Sequence, residues 1–277
     1  MDLTQPDDLR LALRLAGIAP KKGLGQHFLI DRPALELIVA AAGLTHADTV
    51  LEVGPGLGVM TGLLVQTAGK VVAVEADKVL AELLQREAPG NLEVVNDDII
   101  LYDLTLLPRG YKVVANIPYY LTSKLLRQLL ESPNPPSTMV LLIQREVAER
   151  VTAKPGKMSI LALSVQYYAE PEIIGQVERH KFWPQPDVDS AILLIKRRPQ
   201  PAFEADAKQL FRLIKAGFGE RRKQLKNSLA GGLNTSDELS VRLLKQANIP
   251  VAARAQELTL KQWEALYQQA AKANLFN

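Results

Sequence analysis

An alternation of short apolar runs with helical patterns occupies residues 49–151 and limits the fold more than any other feature of the chain. Each run is four to six residues long, which is the length of a buried strand. The five runs are Thr49–Val53, Lys70–Val74, Leu92–Val95, Tyr111–Ala115 and Thr138–Ile143. Because strands joined through helices pair in parallel, the alternation predicts an α/β fold with a parallel sheet. Two further runs, Pro171–Val177 and Asp189–Lys196, bring the prediction to seven strands, mostly parallel.

The last third of the chain has a different pattern. After a linker at Lys196–Pro201, every periodic segment is helical. These segments are Ala205–Phe218, Arg221–Leu229, Ser236–Gln246 and Thr259–Ala271. We therefore predict two domains, an α/β domain at residues 1–198 and a small all-helical domain at residues 199–277.

Charge is unevenly distributed along the chain. Residues 178–277 contain 17 Lys plus Arg against 10 Asp plus Glu, whereas the whole chain carries a net charge of only +3. A basic C-terminal third favours a polyanionic partner, although a solvated basic face would have the same composition.

Several classes of protein are disfavoured by composition. The chain has no cysteine, which rules out disulfides and thiolate zinc sites. No apolar run approaches the roughly 20 residues that a membrane span requires. Met1–Arg10 carries acidic residues and lacks the apolar core of a signal peptide. We expect a cytoplasmic protein.

The fourth apolar run ends in an unusual combination of residues, Asn116–Tyr120. A side-chain amide, a rigid proline and an aromatic ring leave the strand together. These groups are suited to holding a flat, hydrogen-bonding ring such as a nucleobase.

A glycine-rich turn, Gly54–Gly58, follows the first run and precedes a helical pattern. Such a turn lets a ligand approach the backbone closely, although the motif alone is weak. Glu75 ends the second run 21 residues after Gly54, where a carboxylate can accept hydrogen bonds from a ribose diol. A surface carboxylate is the alternative interpretation of Glu75.

Two other segments offer ligand contacts. Asp97 and Asp98 follow the third run, where an acid can bind the exocyclic amine of an adenine or cap a helix. The segment Lys21–Asp31 contains two glycines and a Gln–His pair, which suit a loop lying across a ligand, with Asp31 also capping the next helix.

Several of these motifs together resemble the S-adenosylmethionine-dependent ribosomal RNA adenine dimethyltransferases, with the closest similarity to the small-subunit (16S) branch. The resemblance extends from about Lys21 to Leu229. The motifs are Gly25–Leu29, Leu51–Gly58, Asn116–Tyr119, Gln144–Val147, Phe182–Pro186, Val188–Ala191 and Phe218–Asn227. The glycine motif is common to many methyltransferases, whereas the Asn-Ile-Pro-Tyr motif is far more specific. The resemblance implies a Rossmann-like methyltransferase sheet.

The resemblance also implies cofactor contacts. His27 and Leu29 would border S-adenosylmethionine, although His27 stands where the family more often has asparagine. Gly54 and Gly56 would lie against the methionine and ribose portion. The remaining implied contacts are Glu75 to the ribose hydroxyls, Asp98 to the adenine amine, with Asp97 as the alternative, and Asn116 to both cofactor and target.

For the target, the resemblance implies that Tyr119 and Phe182 sandwich an adenine. The amide of Asn116 and the backbone of Ile117 would accept hydrogen bonds from its amine, and Pro118 would fix the turn. Arg221, Arg222, Lys223 and Lys226 would hold RNA phosphates. The implied activity is N6,N6-dimethylation of two adjacent adenosines near the 3′ end of 16S rRNA, by a monomer acting without a metal on the small ribosomal subunit or its precursor.

Two other functions remain open from the sequence. One is an antibiotic-resistance type of 23S rRNA adenine methyltransferase, which shares the Asn116–Tyr119 motif but not the block Phe218–Asn227. The other is a nucleic-acid-binding factor that kept the fold without the activity. A dinucleotide oxidoreductase is disfavoured, because Asn116–Tyr119 would have no role there.

Overall fold

A computed structural model describes residues 1–220 and 222–276. By their contacts the residues form two compact units. The first unit comprises Met1–Ala148 and Pro171–Arg197, and the second comprises Glu149–Glu170 and Arg198–Asn277. Each unit has its own apolar core.

The strands within the described ranges are β1 (Phe28–Leu29), β2 (Thr49–Val53), β3 (Lys70–Glu75), β4 (Leu92–Asn96), β5 (Lys112–Asn116), β6 (Thr138–Gln144), β7 (Ala169–Val177), β8 (Phe182–Trp183) and β9 (Ser190–Arg197). The α-helices are α1 (Pro6–Leu15), α2 (Arg32–Ala41), α3 (Thr61–Thr67), α4 (Lys78–Arg86), α5 (Thr122–Glu131), α6 (Arg145–Val151), α7 (Ile160–Tyr168), α8 (Ala207–Gly217), α9 (Leu225–Leu233), α10 (Asp237–Gln246) and α11 (Leu260–Lys272).

Seven strands form the central sheet in the order β4-β3-β2-β5-β6-β9-β7. The pairings from β4 through β6 are parallel, and β6 pairs with β9 in antiparallel orientation. The prediction of a seven-stranded, mostly parallel α/β fold is confirmed. The middle strands are buried on both faces, as in Val113 and Val114 of β5, which explains their unbroken apolar pattern.

The strand order reverses between β2 and β5. The chain runs outward from β2 to β4 and then returns to place β5 on the other side of β2. Helices on either side of such a reversal leave a crevice at the carboxyl ends of the strands. The register pairs Val53 with Ala115, so Gly54 and Asn116 emerge side by side at that edge.

A short ribbon joins the segment Lys21–Asp31, which the sequence predicted as a loop, to the segment around Phe182. Strand β1 pairs with β8 in antiparallel orientation, Phe28 opposite Trp183 and Leu29 opposite Phe182. Phe28 also packs with Leu9 and Leu13 of α1. Two-residue strands leave no periodic signal in sequence, and their pairing depends on residues far apart in the chain.

The second unit is a bundle of helices around Trp263, which is fully buried. Its close packing requires glycine at two positions. A Cβ on Gly217 would lie 2.6 Å from the Trp263 ring, and one on Gly232 would lie 2.7 Å from Ala216. Helix starts are capped by side chains, including Asp206 for α8 and Ser236 for α10.

The units divide the chain differently from the predicted boundary at residue 198. The segment Glu149–Glu170, which the prediction assigned to the first domain, groups with the C-terminal helices. The reason is that Ala162, Leu163 and Tyr167 of α7 belong to the same apolar cluster as Trp263. The continuous apolar pattern of α7 showed that it is buried but not which core it joins.

Candidate active site

A cavity of about 240 Å³ lies at the carboxyl ends of the parallel strands in the first unit. Eight predicted site residues line it: His27, Leu29, Gly54, Gly56, Glu75, Asp98, Asn116 and Pro118. Three others, Ile117, Tyr119 and Phe182, are not among its lining residues. Four strand ends, those of β2 to β5, therefore converge on one site, as expected from the sequence.

The glycine turn after β2 is shaped by positions that a side chain would disturb. Gly54 and Gly56 adopt positive φ angles of 66° and 60°, a region that favours glycine. A Cβ on Gly56 would also lie 2.9 Å from the ring of Phe28. The turn thus presents bare backbone to the cavity, as predicted for a ligand contact.

Glu75 is a structural part of this turn as well as a wall of the cavity. Its two carboxylate oxygens accept hydrogen bonds from the backbone N–H groups of Gly56 (3.0 Å) and Asp77 (2.9 Å). Burial raises the pKa of Glu75, against the lowering effect of these hydrogen bonds. Glu75 is 6% exposed, so the surface-carboxylate interpretation is wrong.

The two aspartates after β4 both line the cavity. Oδ1 of Asp98 accepts a hydrogen bond from the backbone N–H of Ile100 (2.9 Å). Oδ1 of Asp97 accepts one from the backbone N–H of Asp98 (2.7 Å). The side chain of Asp98 therefore fixes its own loop and retains a second oxygen. The geometry leaves the choice between Asp97 and Asp98 open.

Asn116 is held in a defined orientation at the end of β5. Its Nδ2 donates to the backbone carbonyl of His27 (2.9 Å), and the following N–H of Ile117 donates to the carbonyl of Leu142 (3.1 Å). This bond engages one of the two amide hydrogens and fixes the plane of the amide, and Oδ1 is available to accept a hydrogen bond from a ligand. Ile117 itself is buried and serves as an anchor for the turn.

Tyr119 is fixed by its hydroxyl and by a neighbouring ring. The hydroxyl is 2.9 Å from Oγ of Ser190. The ring of His27 lies against it in a stacked arrangement, with centroids 6.1 Å apart and planes inclined by 20°. Burial raises the pKa of Tyr119, so its phenol stays neutral.

The ring of His27 is itself fixed. Its Nδ1 lies 2.7 Å from the carbonyl oxygen of Pro184. A carbonyl only accepts hydrogen bonds, so Nδ1 carries the hydrogen of this contact.

Phe182, like Tyr119, does not line the cavity. Its side chain is 3% exposed and packs in the apolar cluster that also contains Leu29 and Ile38. Pairing of β8 with β1 turns it into this core. A stacking role for Phe182 would require its ring to leave the cluster, whereas His27 already lies against Tyr119.

The sequence assigned no role to Asp77, which ties the N-terminal segment to the sheet. Its Oδ2 accepts from Nζ of Lys21 (2.8 Å) and Nε2 of Gln26 (3.2 Å), while Oδ1 caps α4 through Val79. Burial opposes ionisation of Asp77, but these partners outweigh it and lower its pKa. The predicted loop across the ligand is thus tied down at the cavity.

The second unit has a basic groove of about 530 Å³ between α8 and α9. Lys208, Arg212 and Lys215 line it from one face of α8, and no ion pair joins them to another described residue. Their spacing of four and three residues was a signal that sequence reasoning overlooked. Facing them, Gly231 leaves open space where a Cβ would be.

The predicted RNA contacts are only partly described. Arg221 lies outside the described residues. Arg222 and Lys223 are exposed, and Lys226 is partly buried. Lys223 pairs with Glu220, with Nζ 2.6 Å from the carboxylate. Within the described ranges no cluster of three His, Asp or Glu is placed to hold a metal ion, and no helix is long and apolar enough to cross a membrane.

A protein family and several known proteins match this chain over most of its length. Residues 19–272 match the family model described as "Ribosomal RNA adenine dimethylase". The chain is 44% identical over 252 residues to a "Ribosomal RNA small subunit methyltransferase A" of Dehalococcoides mccartyi, covering 89% of this chain and 87% of the relative. A protein of the same name from Pelotomaculum thermopropionicum is 41% identical, covering 95% and 96%.

Two solved structures are also similar to this chain over most of its length. A dimethyladenosine transferase from Plasmodium falciparum has a TM-score of 0.79 at 25% identity, covering 89% of this chain and 98% of that one. The 23S rRNA methyltransferase ErmE has a TM-score of 0.72 at 30% identity, covering 87% and 98%.

Proposed function

The chain belongs to the ribosomal RNA adenine dimethylase family, and on this premise we propose that it dimethylates N6 of two adjacent adenosines near the 3′ end of 16S rRNA, using S-adenosylmethionine. The observation that carries the proposal is the orientation of Asn116. Asn116 lines the cavity beside the glycine turn, and the hydrogen bond from its amide nitrogen to the carbonyl of His27 fixes the side chain there.

The spatial order of the strands matches the order of the chemical groups along the cofactor. From the edge inward, β4 offers Asp97 and Asp98 for the adenine amine, and β3 offers Glu75 for the ribose hydroxyls. Strand β2 offers the backbone of Gly54 and Gly56 for the methionine portion. His27 and Leu29 border the same cavity from the N-terminal segment.

The target base would meet this row at β5. An adenine amine is a poor nucleophile because its lone pair is delocalised into the ring. Oδ1 of Asn116 and the carbonyl of Ile117 would accept hydrogen bonds from the adenine amine and so favour a pyramidal nitrogen. Pro118 restricts the conformation of the turn that carries them. The bound cofactor supplies a methyl group on a positively charged sulfur. The role of the protein is to align the amine with that methyl group.

Tyr119 would hold the base by stacking, which contributes about 1–3 kcal/mol per base. His27 lies against the same ring and helps to fix its orientation. A base held out of its stack in this way can receive a second methyl group after the cofactor is exchanged.

Basic residues of the second unit would bind RNA phosphates. Arg222, Lys223 and Lys226 are the predicted contacts, together with Arg221, and the groove lined by Lys208, Arg212 and Lys215 adds three cations. Such contacts position RNA without reading its sequence. We further infer that the protein acts as a monomer in the cytoplasm, where small subunits are assembled.

A 23S rRNA substrate is the second candidate, favoured by the similarity to ErmE. The names of the relatives and the block Phe218–Asn227 support the small subunit instead.

Transfer of labelled methyl groups to unmethylated small subunits, to large-subunit RNA and to free RNA separates these candidates. We expect label on the small-subunit RNA. Label on large-subunit RNA alone would contradict the proposal, and RNA binding without any cofactor binding or transfer would favour a binding factor.

A further inference from the structure

The segment Leu24–His27 covers the cavity, and one buried side chain, that of Asp77, holds it in place. All four residues of this segment line the cavity. Asp77 is 3% exposed and caps the start of α4, two residues after Glu75. We call its contact with Lys21 and Gln26 the Asp77 clamp. Asp77 is not among the residues that line the cavity, so any part it has in the reaction is indirect.

The clamp is a closed set of hydrogen bonds. Oδ2 of Asp77 accepts from Nζ of Lys21 (2.8 Å) and from Nε2 of Gln26 (3.2 Å). Oε1 of Gln26 accepts in turn from the backbone N–H of Lys21 (2.7 Å). Hydrogen bonds to an ionised carboxylate are stronger than those between neutral groups. The clamp therefore fixes both the position of Gln26 and the plane of its amide.

Asp77 is itself fixed to the end of β3. Its backbone N–H donates to Oε1 of Glu75 (2.9 Å). Its other carboxylate oxygen, Oδ1, accepts from the backbone N–H of Val79 (3.1 Å) and so caps α4. Because both its backbone and its side chain are bound, Asp77 is a rigid anchor rather than a flexible surface charge.

The clamped segment touches the turn after β5 at two points. His27, the residue after Gln26, carries the backbone carbonyl that accepts from Nδ2 of Asn116 (2.9 Å). On the other side of Gln26, a Cβ on Gly25 would lie 3.2 Å from Cβ of Pro118, so the backbone of the segment lies close against this turn. A displacement of the segment would therefore move the acceptor to which Asn116 is bound.

We propose that Asp77 is a positioning residue for methyl transfer. By holding Gln26 it fixes the carbonyl of His27, and that carbonyl orients Asn116. The inference rests on the proposed function and adds a residue to it. A displacement of about 1 Å at a reacting group can lower a rate about 100-fold, so a contact outside the cavity can control the reaction. The alternative is that pairing of β1 with β8, which begins at Phe28, fixes His27 without the clamp.

Asp77→Asn in the full-length protein tests the proposal. Asparagine caps helices as well as aspartate does, but here it keeps the cap only by turning its NH₂ group toward two other donors, those of Lys21 and Gln26. We expect single-turnover transfer from saturating S-adenosylmethionine to unmethylated small subunits to fall about 10–100-fold. An unchanged rate would show that the pairing of β1 with β8 suffices, and it would overturn the proposal.

A variant with the donor and acceptor exchanged provides a rescue. When Gln26→Glu is added to Asp77→Asn, the new amide donates to the new carboxylate, and Lys21 keeps a negatively charged partner. We expect this double variant to recover most of the rate. Gln26→Glu alone brings two carboxylates together and should be slower than the double variant. No recovery would assign the loss to the cap of α4 and overturn the proposal.

The route through Asn116 has its own test. If Asp77 acts through that amide, Asp77→Asn should cause no further loss of rate in the Asn116→Ala background. Losses that multiply in the double variant would show a different route and overturn the proposal. NMR adds a measurement that needs no transfer. The side-chain amide hydrogens of Asn116 should exchange with solvent faster in Asp77→Asn, and Gln26→Glu should restore their slow exchange.

Asp48→Asn is the matched control. Asp48 is also an ion-paired aspartate, 3.1 Å from Nζ of Lys112, and it accepts from the backbone N–H of Thr45 (2.7 Å). It precedes β2 and so lies at the end of the sheet opposite the cavity. This variant should lower stability but not the rate per folded molecule. An equal loss of rate in Asp48→Asn and Asp77→Asn would mean that general destabilisation, not the clamp, slows transfer.

The outcomes also separate this inference from the proposed function. If the wild-type protein transfers no methyl group to small-subunit RNA, the proposed function is wrong. If transfer occurs and Asp77→Asn leaves its rate unchanged, only the role of Asp77 is wrong. Lys21→Met decides the matter if Asp77→Asn fails to fold, because the Lys21 side chain is 53% exposed and its loss removes only the ion pair. Its rate should fall less than that of Asp77→Asn, and no fall would overturn the proposal.

Discussion

The cavity of the first unit and the basic groove of the second differ in how their polar groups are held. In the cavity, Glu75 and Asn116 are buried or half-buried, and backbone hydrogen bonds fix their orientation. In the groove, Lys208, Arg212 and Lys215 are exposed side chains on one helix face. Fixed, converging groups suit chemistry on one small ligand, whereas long exposed cations suit an extended polyanion.

This difference predicts sharp effects of substitution in the cavity and graded effects in the groove. The largest is expected for Asn116→Ala, which removes the oriented acceptor for the amine. Single-turnover methyl transfer should fall by about 10²–10³-fold, by analogy with the loss of one oriented polar group in other active sites. Thermal unfolding should show that the fold survives.

Asn134→Ala is the matched control for that variant. The amide of Asn134 donates to the carbonyls of Leu104 and Leu107, away from the cavity. It should lower stability but leave transfer per folded molecule near that of the wild type. Near-normal turnover in Asn116→Ala would remove Asn116 from the mechanism.

Tyr119 should give the next largest effect. Tyr119→Ala removes the stacking surface and should weaken binding of the target base by about 1–3 kcal/mol, which is roughly 5–150-fold. Tyr119→Phe keeps the ring and loses only the contact to Ser190, so it should stay within a few-fold of the wild type. KM for unmethylated RNA measures both variants, and equal losses in the two would contradict a stacking role.

RNA binding by the groove should weaken in proportion to the number of positive charges removed. Lys208→Ala combined with Arg212→Ala should weaken RNA binding and lower the slope of log affinity against log salt by about 2. The control is Arg242→Ala with Lys245→Ala, two exposed cations on α10 that do not line the groove. The same loss in both double variants would mean that overall charge, not the groove, binds RNA.

Two adjacent glycines in α9 should give the smallest effects, of opposite sign. Gly232→Ala places a Cβ 2.7 Å from Ala216 and should lower the free energy of unfolding by about 1–3 kcal/mol. Gly231→Ala enters open space and should raise it by about 0.5–1 kcal/mol, because alanine favours helix. Denaturant unfolding measures both. A stabilised Gly231→Ala with weakened RNA binding would assign Gly231 to the groove.

Much of the cavity could be predicted from the sequence because its signals are local. Gly54, Glu75 and Asn116 each follow an apolar run directly, and parallel strands bring their carboxyl ends to one edge. The α/β fold follows from the same alternation of strands and helices.

Features that depend on distant residues could not be predicted. The burial of Phe182 results from pairing with Leu29, and the role of Asp77 depends on Lys21 and Gln26. Glu52, within the recognised glycine motif, is fully buried and its carboxylate oxygens have no hydrogen-bond partner, although nothing local in the sequence showed this.

The structure of the protein with S-adenosylhomocysteine bound tests the central claim most directly, namely that successive strand ends hold successive parts of the cofactor. We predict the adenine at Asp97 or Asp98, the ribose at Glu75, the methionine portion at Gly54 and Gly56, and the sulfur facing Asn116. A ligand bound in the reverse direction, or outside this cavity, would contradict the claim.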